Sequence, residues 1–473
     1  MTRREPQPDY GVDDALALVG RRDRDRAPHE AHRATPWPEA RAVAARAGTK
    51  AAAARRPEPV PLARALGRVL AEPLHALTDL PSFDTSAMDG WAVAGPGPWR
   101  IDPDGAVLAG RATASVLADG EAVRIATGAR VPSGATAVVR SEHAHTDSAG
   151  RLHARREVVP GQDIRPRGQE CRSGDRLLPA GSTVTPAVLG LAAAAGYDEL
   201  TVHPRPRVEV LVLGDELLTS GLPHEGLIRD ALGPLLGPWL RALGAEVLGT
   251  RRIGDDADAL YAAVTGSAAD VVVTTGGTAA GPVDHVHPVL TKAGATLLVD
   301  GVKVRPGHPM LLAEFDPEAG LTSPTSPTST VSTASARPGP RHLVGLPGNP
   351  LAAVSGLLTL AEPLLRTLAG LPAPVPYRVG VREEIQGHPY DTRLVPVVQR
   401  GDEAVPLHYN GPAMLRGIAV ADGMAVVPPG GARPGQSLDV LDLPWSAHQV
   451  HRAQQAQQAQ QADQGEDEGV CFT

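Results

Sequence analysis

A chain of 473 residues exceeds what one hydrophobic core supports, so several domains are expected. A net charge of -8 supplies no broad positive field, and Arg21, Arg22, Arg24 and Arg26 alternate with Asp23 and Asp25, so the composition argues against a nucleic-acid partner. The two cysteines, Cys171 and Cys471, exclude a disulfide framework and an all-cysteine zinc site; no run reaches the roughly 18 consecutive apolar residues of a membrane span and no signal-peptide pattern opens the chain, so a cytoplasmic protein is expected.

Residues 1–36 are polar and rich in Arg, Asp and Pro, too poor in large apolar side chains to offset the entropy of ordering, and read as a disordered arm. Residues 39–56 are alanine-rich and favour a helix; with the apolar stretch 60–70 they read as the start of a scaffold domain. Residues 80–93, LPSFDTSAMDGWAV, place Asp84 and Asp89 around a Ser-Ala-Met turn before a short strand, a texture equally open to a plain Asx-type turn. Short segments such as 135–139 and 157–159, set between Gly/Pro/Ser turns, suggest a small β domain. The apolar run 186–195 reads as a helix ended by Gly196 as a C-cap residue, returning the chain to the scaffold.

From Arg207 onward strands and helices alternate, which calls for a mostly parallel sheet. Strands 208–213, 246–248, 271–275 and 343–346 run into Gly214-Asp215-Glu216, Gly254-Asp255-Asp256, Gly276-Gly277-Thr278 and Pro347-Gly348-Asn349-Pro350. Leu232, Leu235, Leu236, Trp239, Leu240 and Leu243 share one helix face that Gly233-Pro234 and Gly237-Pro238 must kink or delay, and Asn349 and Pro350 stand as cap and first residue of another helix. Any one of these loops is also an ordinary βα turn. Four at the carboxyl edge of one sheet favour a phosphate or another anion, held by glycine amides and helix amino termini, while Glu216, Asp255 and Asp284 offer oxygen ligands to a divalent cation. Neither a Walker A sequence nor a Rossmann G-x-G-x-x-G occurs, which disfavours a kinase or a dinucleotide-dependent dehydrogenase.

Residues 323–336, SPTSPTSTVSTASA, read as a flexible insertion within the α/β domain. Short strands between Gly/Pro turns over 377–443 imply a small β-barrel, and the Gln/Ala-rich and acidic residues from 444 onward a disordered tail.

Several runs resemble signatures of one family. LPSFDTSAMDGWAV is similar to FDxSAMDGYAV of the molybdopterin molybdenumtransferases (MoeA, and the E domain of gephyrin); IATGARVP (125–132) resembles their ITGAPLP, GQDIRPRGQE (161–170) their GxNIRxxGED, and GLPGNP (345–350) is a signature run as it stands. The likeness extends from about residue 38 to about 442. It implies an α/β multidomain fold: a doubly wound, mostly parallel molybdopterin-binding sheet of MogA type (206–370, with an insertion at 318–340), a discontinuous α/β scaffold (37–80 with 171–205), a small β domain (81–170) and a C-terminal β-barrel (375–443). The activity it implies is transfer of molybdenum from molybdate to adenylylated molybdopterin with release of AMP and with Mg²⁺. By the same resemblance Asp89, Thr127 and Glu170 are catalytic; Gly214, Asp215, Gly276, Gly277, Thr278, Arg305, Pro347, Gly348, Asn349 and Pro350 bind the pterin substrate; Glu216, Asp255 and Asp284 hold the metal. It further implies a homodimer whose cleft is shared between subunits, with contact to other molybdenum cofactor biosynthesis proteins.

The chain departs from the pattern at several places. GGVSVGxxDY reads GGTAAGPVDH, with Ala279 in place of serine; KPGKP reads RPGHP at 305–309, with Gly301 where a lysine is usual; the D-[ST]-N turn reads Asp230-Ala231-Leu232; and Glu170 stands where Asp is usual. These changes keep open a non-catalytic molybdopterin-binding or carrier protein. A scaffold using its tails as interaction arms has only the composition of those tails behind it.

Overall fold

The computed structural model describes residues 34–102, 105–108, 110, 116–278, 285–316 and 339–446. Asp284, Ala279, the insertion at 323–336, most of the amino-terminal arm and nearly all of the tail lie outside them. The chain divides into two compact units, Pro57–His203 and the combination of Met1–Arg56 with Pro204–Thr473.

The larger unit is built on a six-stranded sheet whose spatial order is Glu246–Ile253, Arg207–Leu213, Val271–Thr275, Arg341–Leu346, Leu311–Phe315, Thr296–Asp300. The first four strands are parallel; Leu311–Phe315 is antiparallel to both its neighbours, so Thr296–Asp300 runs with the first four, and neither of these two was expected from the sequence. All five residues of Val271–Thr275 are buried, as a run without polar alternation requires for a strand covered on both faces. One face packs Val208, Val210 and Val212 under Leu236, Trp239 and Leu240; the other packs Leu211, Val272 and Leu343 under Leu260, Val264, Val289 and Leu290. Helix Leu232–Ala242 starts on time despite its prolines, because Asp230 accepts hydrogen bonds from the amides of Leu232 (3.0 Å) and Gly233 (2.9 Å).

Helix Pro350–Leu368 is long and apolar enough to cross a membrane, but 89% of its apolar window is buried within the fold. One turn of it, Leu357–Ala361, is π-helical. Helix Trp37–Ala53 lies along it. Trp37, Ala40, Ala44, Ala47 and Ala51 of this helix, which the sequence reads as leading into the scaffold, share a core with Leu360, Leu364, Leu365 and Leu368. The Trp37 indole N–H donates to the Thr359 hydroxyl at 3.0 Å, and at Gly48 any β-carbon would strike Leu364 and Thr367. An alanine-rich face allows this close approach, and an all-round apolar partner requires a cover.

The barrel strands Tyr377–Val381, Thr392–Arg400, Glu403–Pro406, Gly423–Val427 and Ser437–Asp442 close because Thr392–Arg400 pairs with both Glu403–Pro406 and Gly423–Val427. Strand Val302–Arg305 joins this sheet in parallel beside Thr392–Arg400, and Thr35–Pro36 adds to Val302–Arg305. The last residues of the expected arm are therefore a strand, and the first of the expected tail also pack, Trp445 lying edge-on to Trp239 at 4.8 Å.

In the unit Pro57–His203, Glu58–Pro61 pairs with Glu199–Val202 and Leu74–His75 with Arg176–Leu178, around Val60, Leu70, Val184 and Leu200. Helix Pro186–Ala194 is capped by the Thr185 hydroxyl and followed by Gly196 at φ +103°. The chain between forms a six-stranded sheet in the order Ala137–Arg140, Gly90–Val93, Glu121–Ile125, Trp99–Ile101, Arg151–Ala154, Ala144–Thr146. Residues 157–159, expected as a strand, are irregular.

Candidate functional site

Three of the singled-out runs meet within the unit Pro57–His203. Thr85–Ser86 pairs with Ile164–Arg165, and Thr85 also bridges to Arg130, so residues 80–93, 125–132 and 161–170 form one layer. Asp89 and Thr127 come together: the Thr127 amide donates to Asp89 Oδ1 at 2.7 Å. That amide, and after it the Thr127 hydroxyl, hold the Asp89 carboxyl below its usual range. Both residues are exposed, so the pair faces solvent. Glu170 is exposed too. Its amide donates to Leu80 O at 2.9 Å, and it edges a hollow of about 590 Å³ shared with Arg165, Gln169 and Thr85.

Asp84, visible in the sequence but given no role, ties the layer. Its Oδ1 accepts the Arg167 amide at 2.7 Å, and its carbonyl accepts the Val131 amide at 2.9 Å. The buried Ser86 hydroxyl donates to Met88 O at 2.6 Å and shapes the turn that presents Asp89.

In the larger unit the four glycine loops do share one edge, since the strands preceding them are parallel and adjacent. Arg207–Leu213, first in sequence, lies between the next two strands, so the chain reverses its winding between the loops at 214–216 and 276–278, the switch point where α/β sheets bind ligands. The Gly276 amide donates to Leu346 O at 2.8 Å, and a β-carbon at Gly348 would stand 3.6 Å from the Gly276 Cα. Gly276 and Gly277 have φ of +79° and +63°, conformations that only glycine adopts without strain. Gly348 and Asn349 are exposed, whereas Pro347 is buried.

Four of the expected site residues have partners within the fold. Thr278 is buried beneath the Arg341–Leu346 strand, where a β-carbon at Gly345 would meet its methyl at 2.9 Å; its side chain is packing, not pocket surface. Asn349 occupies the cap position but its side chain caps nothing; the amides of Leu351 and Ala352 donate instead to Pro412 O at 2.9 and 3.2 Å. Two helix-start donors expected to meet an anion are therefore taken by the barrel's own loop. Arg305 turns to Asp391, with Nε 2.9 Å from Oδ2, at the residue just before the neighbouring strand Thr392–Arg400. Asp215 faces the next loop: its Oδ2 accepts the Asp255 amide at 3.4 Å, and a β-carbon at Gly254 would lie 2.6 Å from its Oδ1.

Loops 214–216 and 254–256 thus lie side by side, with the Gly214 amide donating to Ile253 O at 3.3 Å. Glu216 folds its carboxylate over Gly214, Asp255 sits beside Asp215, and Asp256 caps the helix Ala257–Thr265 through the amides of Asp258 and Ala259. Asp284, the third expected ligand, falls outside the described residues. Among those residues no group of three His, Cys, Asp or Glu side chains gathers. Pro412 carried no signal in the sequence, because its contribution is a backbone carbonyl brought by tertiary packing.

Residues 35–196 match the MoeA N-terminal region (domain I and II), 209–367 the "Probable molybdopterin binding domain", and 378–443 the MoeA C-terminal region (domain IV). Molybdopterin molybdenumtransferase 2 of Mycobacterium tuberculosis is 35% identical over 393 residues, 79% of this chain and 91% of its own length. Molybdopterin molybdenumtransferase of Nostoc is 32% identical over 325 residues, 66% of this chain and 70% of its own. The solved molybdopterin biosynthesis MoeA protein of Pyrococcus horikoshii superimposes with a TM-score of 0.66 at 25% identity, covering 87% of this chain and 99% of that one. The glycine-loop edge lies in the molybdopterin-binding match and the Asp89 layer in the N-terminal match, and with a relative so alike along most of both lengths the chain belongs to the molybdopterin molybdenumtransferase family.

Proposed function

We propose that this chain takes adenylylated molybdopterin and molybdate, places molybdenum on the dithiolene and releases AMP, in the cytoplasm and alongside other proteins of molybdenum cofactor biosynthesis. The observation that carries this reading is the shared edge of four glycine loops at the sheet's switch point. The pterin phosphate is held by backbone amides around Gly277 and Gly348, with Gly214, Gly276 and Pro347 shaping the floor. Arg305 contributes charge at the margin, tempered by Asp391.

Glu216 and Asp255 lie on adjacent loops and offer the hard carboxylate oxygens that Mg²⁺ takes, and with Asp284 they are the residues that would hold it on this reading. A bound Mg²⁺ would neutralise charge released when the phosphoanhydride breaks. Asp89, Thr127 and Glu170 orient molybdate or the attacking water. The reading includes a homodimer, as the family resemblance implies, and light scattering should return twice 49.1 kDa.

The test is complementation of a strain lacking the transferase, scored by a molybdoenzyme's activity, together with AMP release by the purified chain with molybdate and Mg²⁺. Binding of the adenylylated pterin without AMP release under any metal would overturn the transferase and establish the carrier reading.

A further inference from the structure

The turn that presents Asp89 is held at two ends. At its start the Ala87 amide donates to Asp163 O at 2.8 Å; at its end the Ser141 amide and hydroxyl donate to Asp89 O at 3.1 and 3.3 Å. Ser141 follows Arg140, whose Cα is the register partner of Gly90, the residue after Asp89. The two anchors are themselves joined. Arg140 Nε and Nη2 each lie 2.9 Å from the Asp163 carboxylate, a two-pronged fork that fixes direction as well as distance.

Asp163 adopts φ +54°, a left-handed conformation rare outside glycine, so its carbonyl is aimed at Ala87 by a backbone that needs outside support. At Gly90 any β-carbon would strike Val139 O, so the Asp89 turn and the Arg140 strand are pressed together without slack.

We infer that Arg140 and Asp163 are positioning residues, a clamp that sets the Asp89 turn and through it the placement of the Asp89 carboxylate against its substrate. Neither touches the reacting atoms. The inference rests on the reading of Asp89 as a working carboxylate, and the experiment separates the two.

The full chain is assayed for AMP release with molybdate and adenylylated molybdopterin, and for thermal unfolding, as Asp163→Asn, Arg140→Gln, Arg140→Lys, the Asp163→Asn/Arg140→Gln double variant and Asp89→Asn. Asp163→Asn keeps a residue that tolerates the left-handed backbone. The clamp predicts that Asp163→Asn and Arg140→Gln each lower kcat roughly tenfold with KM unchanged, since a small misplacement is felt in the chemical step. Arg140→Lys recovers part of the loss, and the double variant is no slower than the slower single one, as expected of partners in one interaction. A parental kcat in both single variants, a raised KM alone, or a loss that tracks the folded fraction would each overturn the clamp. If Asp163→Asn does not fold, Arg140→Gln against Arg140→Lys decides by the same criteria. If Asp89→Asn turns over at the parental rate, the Asp89 reading itself has failed; if it is slow while both clamp variants are parental, only the clamp has.

Discussion

Thr127 donates its backbone N–H to the Asp89 carboxylate at 2.7 Å across 38 positions of sequence. A carboxylate satisfied by an amide and a hydroxyl is stabilised in its ionised form, and the Asp89 carboxyl is accordingly held low. On the proposed reading such a carboxylate orients its partner and does not deliver a proton.

Asp89→Asn should leave affinity for adenylylated molybdopterin unchanged by calorimetry while slowing AMP release by roughly a hundredfold, the usual scale for losing one preorganised electrostatic group. Because a depressed carboxyl titrates only as pH falls through its own low value, the rate profile of the parent should show no inflection from Asp89 between about pH 5 and about pH 8. Equal losses of affinity and rate would contradict this division of labour.

Gly277→Val should weaken the binding step itself. At φ +63° a β-carbon is strained and would stand 3.2 Å from Val286 and 3.4 Å from Leu213. We expect destabilisation of about 1–3 kcal/mol and a clear loss of pterin affinity, read by denaturant unfolding and calorimetry. Unchanged affinity would remove Gly277 from the pocket.

Glu362 lies in the core of helix Pro350–Leu368, 3% exposed. Burial, opposed by Arg41 and Arg366, pushes its carboxyl up to about 7. The sign follows: the folded chain keeps a proton that the unfolded chain releases at the ordinary carboxylate pKa. The contribution to stability is fully present below that ordinary value and is lost as pH rises through about 7. The loss is on the order of 3 kcal/mol at most, from about 1.4 kcal/mol per pKa unit. Glu362→Gln should flatten the fall in melting temperature between about pH 5 and about pH 7.5 and raise it at about pH 8. A slope identical to the parent's would exclude Glu362 as its source.

The two helix starts differ in what caps them. Asp256 receives two amides, so Asp256→Ala should cost about 1 kcal/mol in urea unfolding. Asn349 caps nothing through its side chain, and Asn349→Ala should change stability by less than about 0.5 kcal/mol. Equal costs would mean that the Pro412 carbonyl does not satisfy the helix start.

Where the sequence was legible, one physical signal dominated its surroundings. An unbroken apolar run, VVVTT, marks a strand buried on both faces, and the paired glycines after it mark a backbone in the left-handed region. Residue texture likewise exposed the SAMDG turn. The edge strand Thr296–Asp300 and its neighbour Leu311–Phe315 were missed because they pair antiparallel outside the strand-helix alternation. The partner of helix Trp37–Ala53 was not legible, because alanine periodicity shows that a helix packs closely but not on what. Asn349 was given a cap that Pro412 supplies, since a carbonyl arriving from a distant loop leaves no trace in local composition.

The stitching of one sheet from Thr35–Pro36, Val302–Arg305 and Thr392–Arg400 has a consequence for synthesis. On the ribosome the first strand emerges long before its neighbour, and that neighbour emerges before the barrel strand that completes it. The helix after GLPGNP likewise leaves the exit tunnel with its leading amides open until Pro412 follows. The start of this helix therefore waits on the barrel's own loop, and a nascent chain stalled before Pro412 has emerged should be competent in secondary structure yet hold ligand poorly.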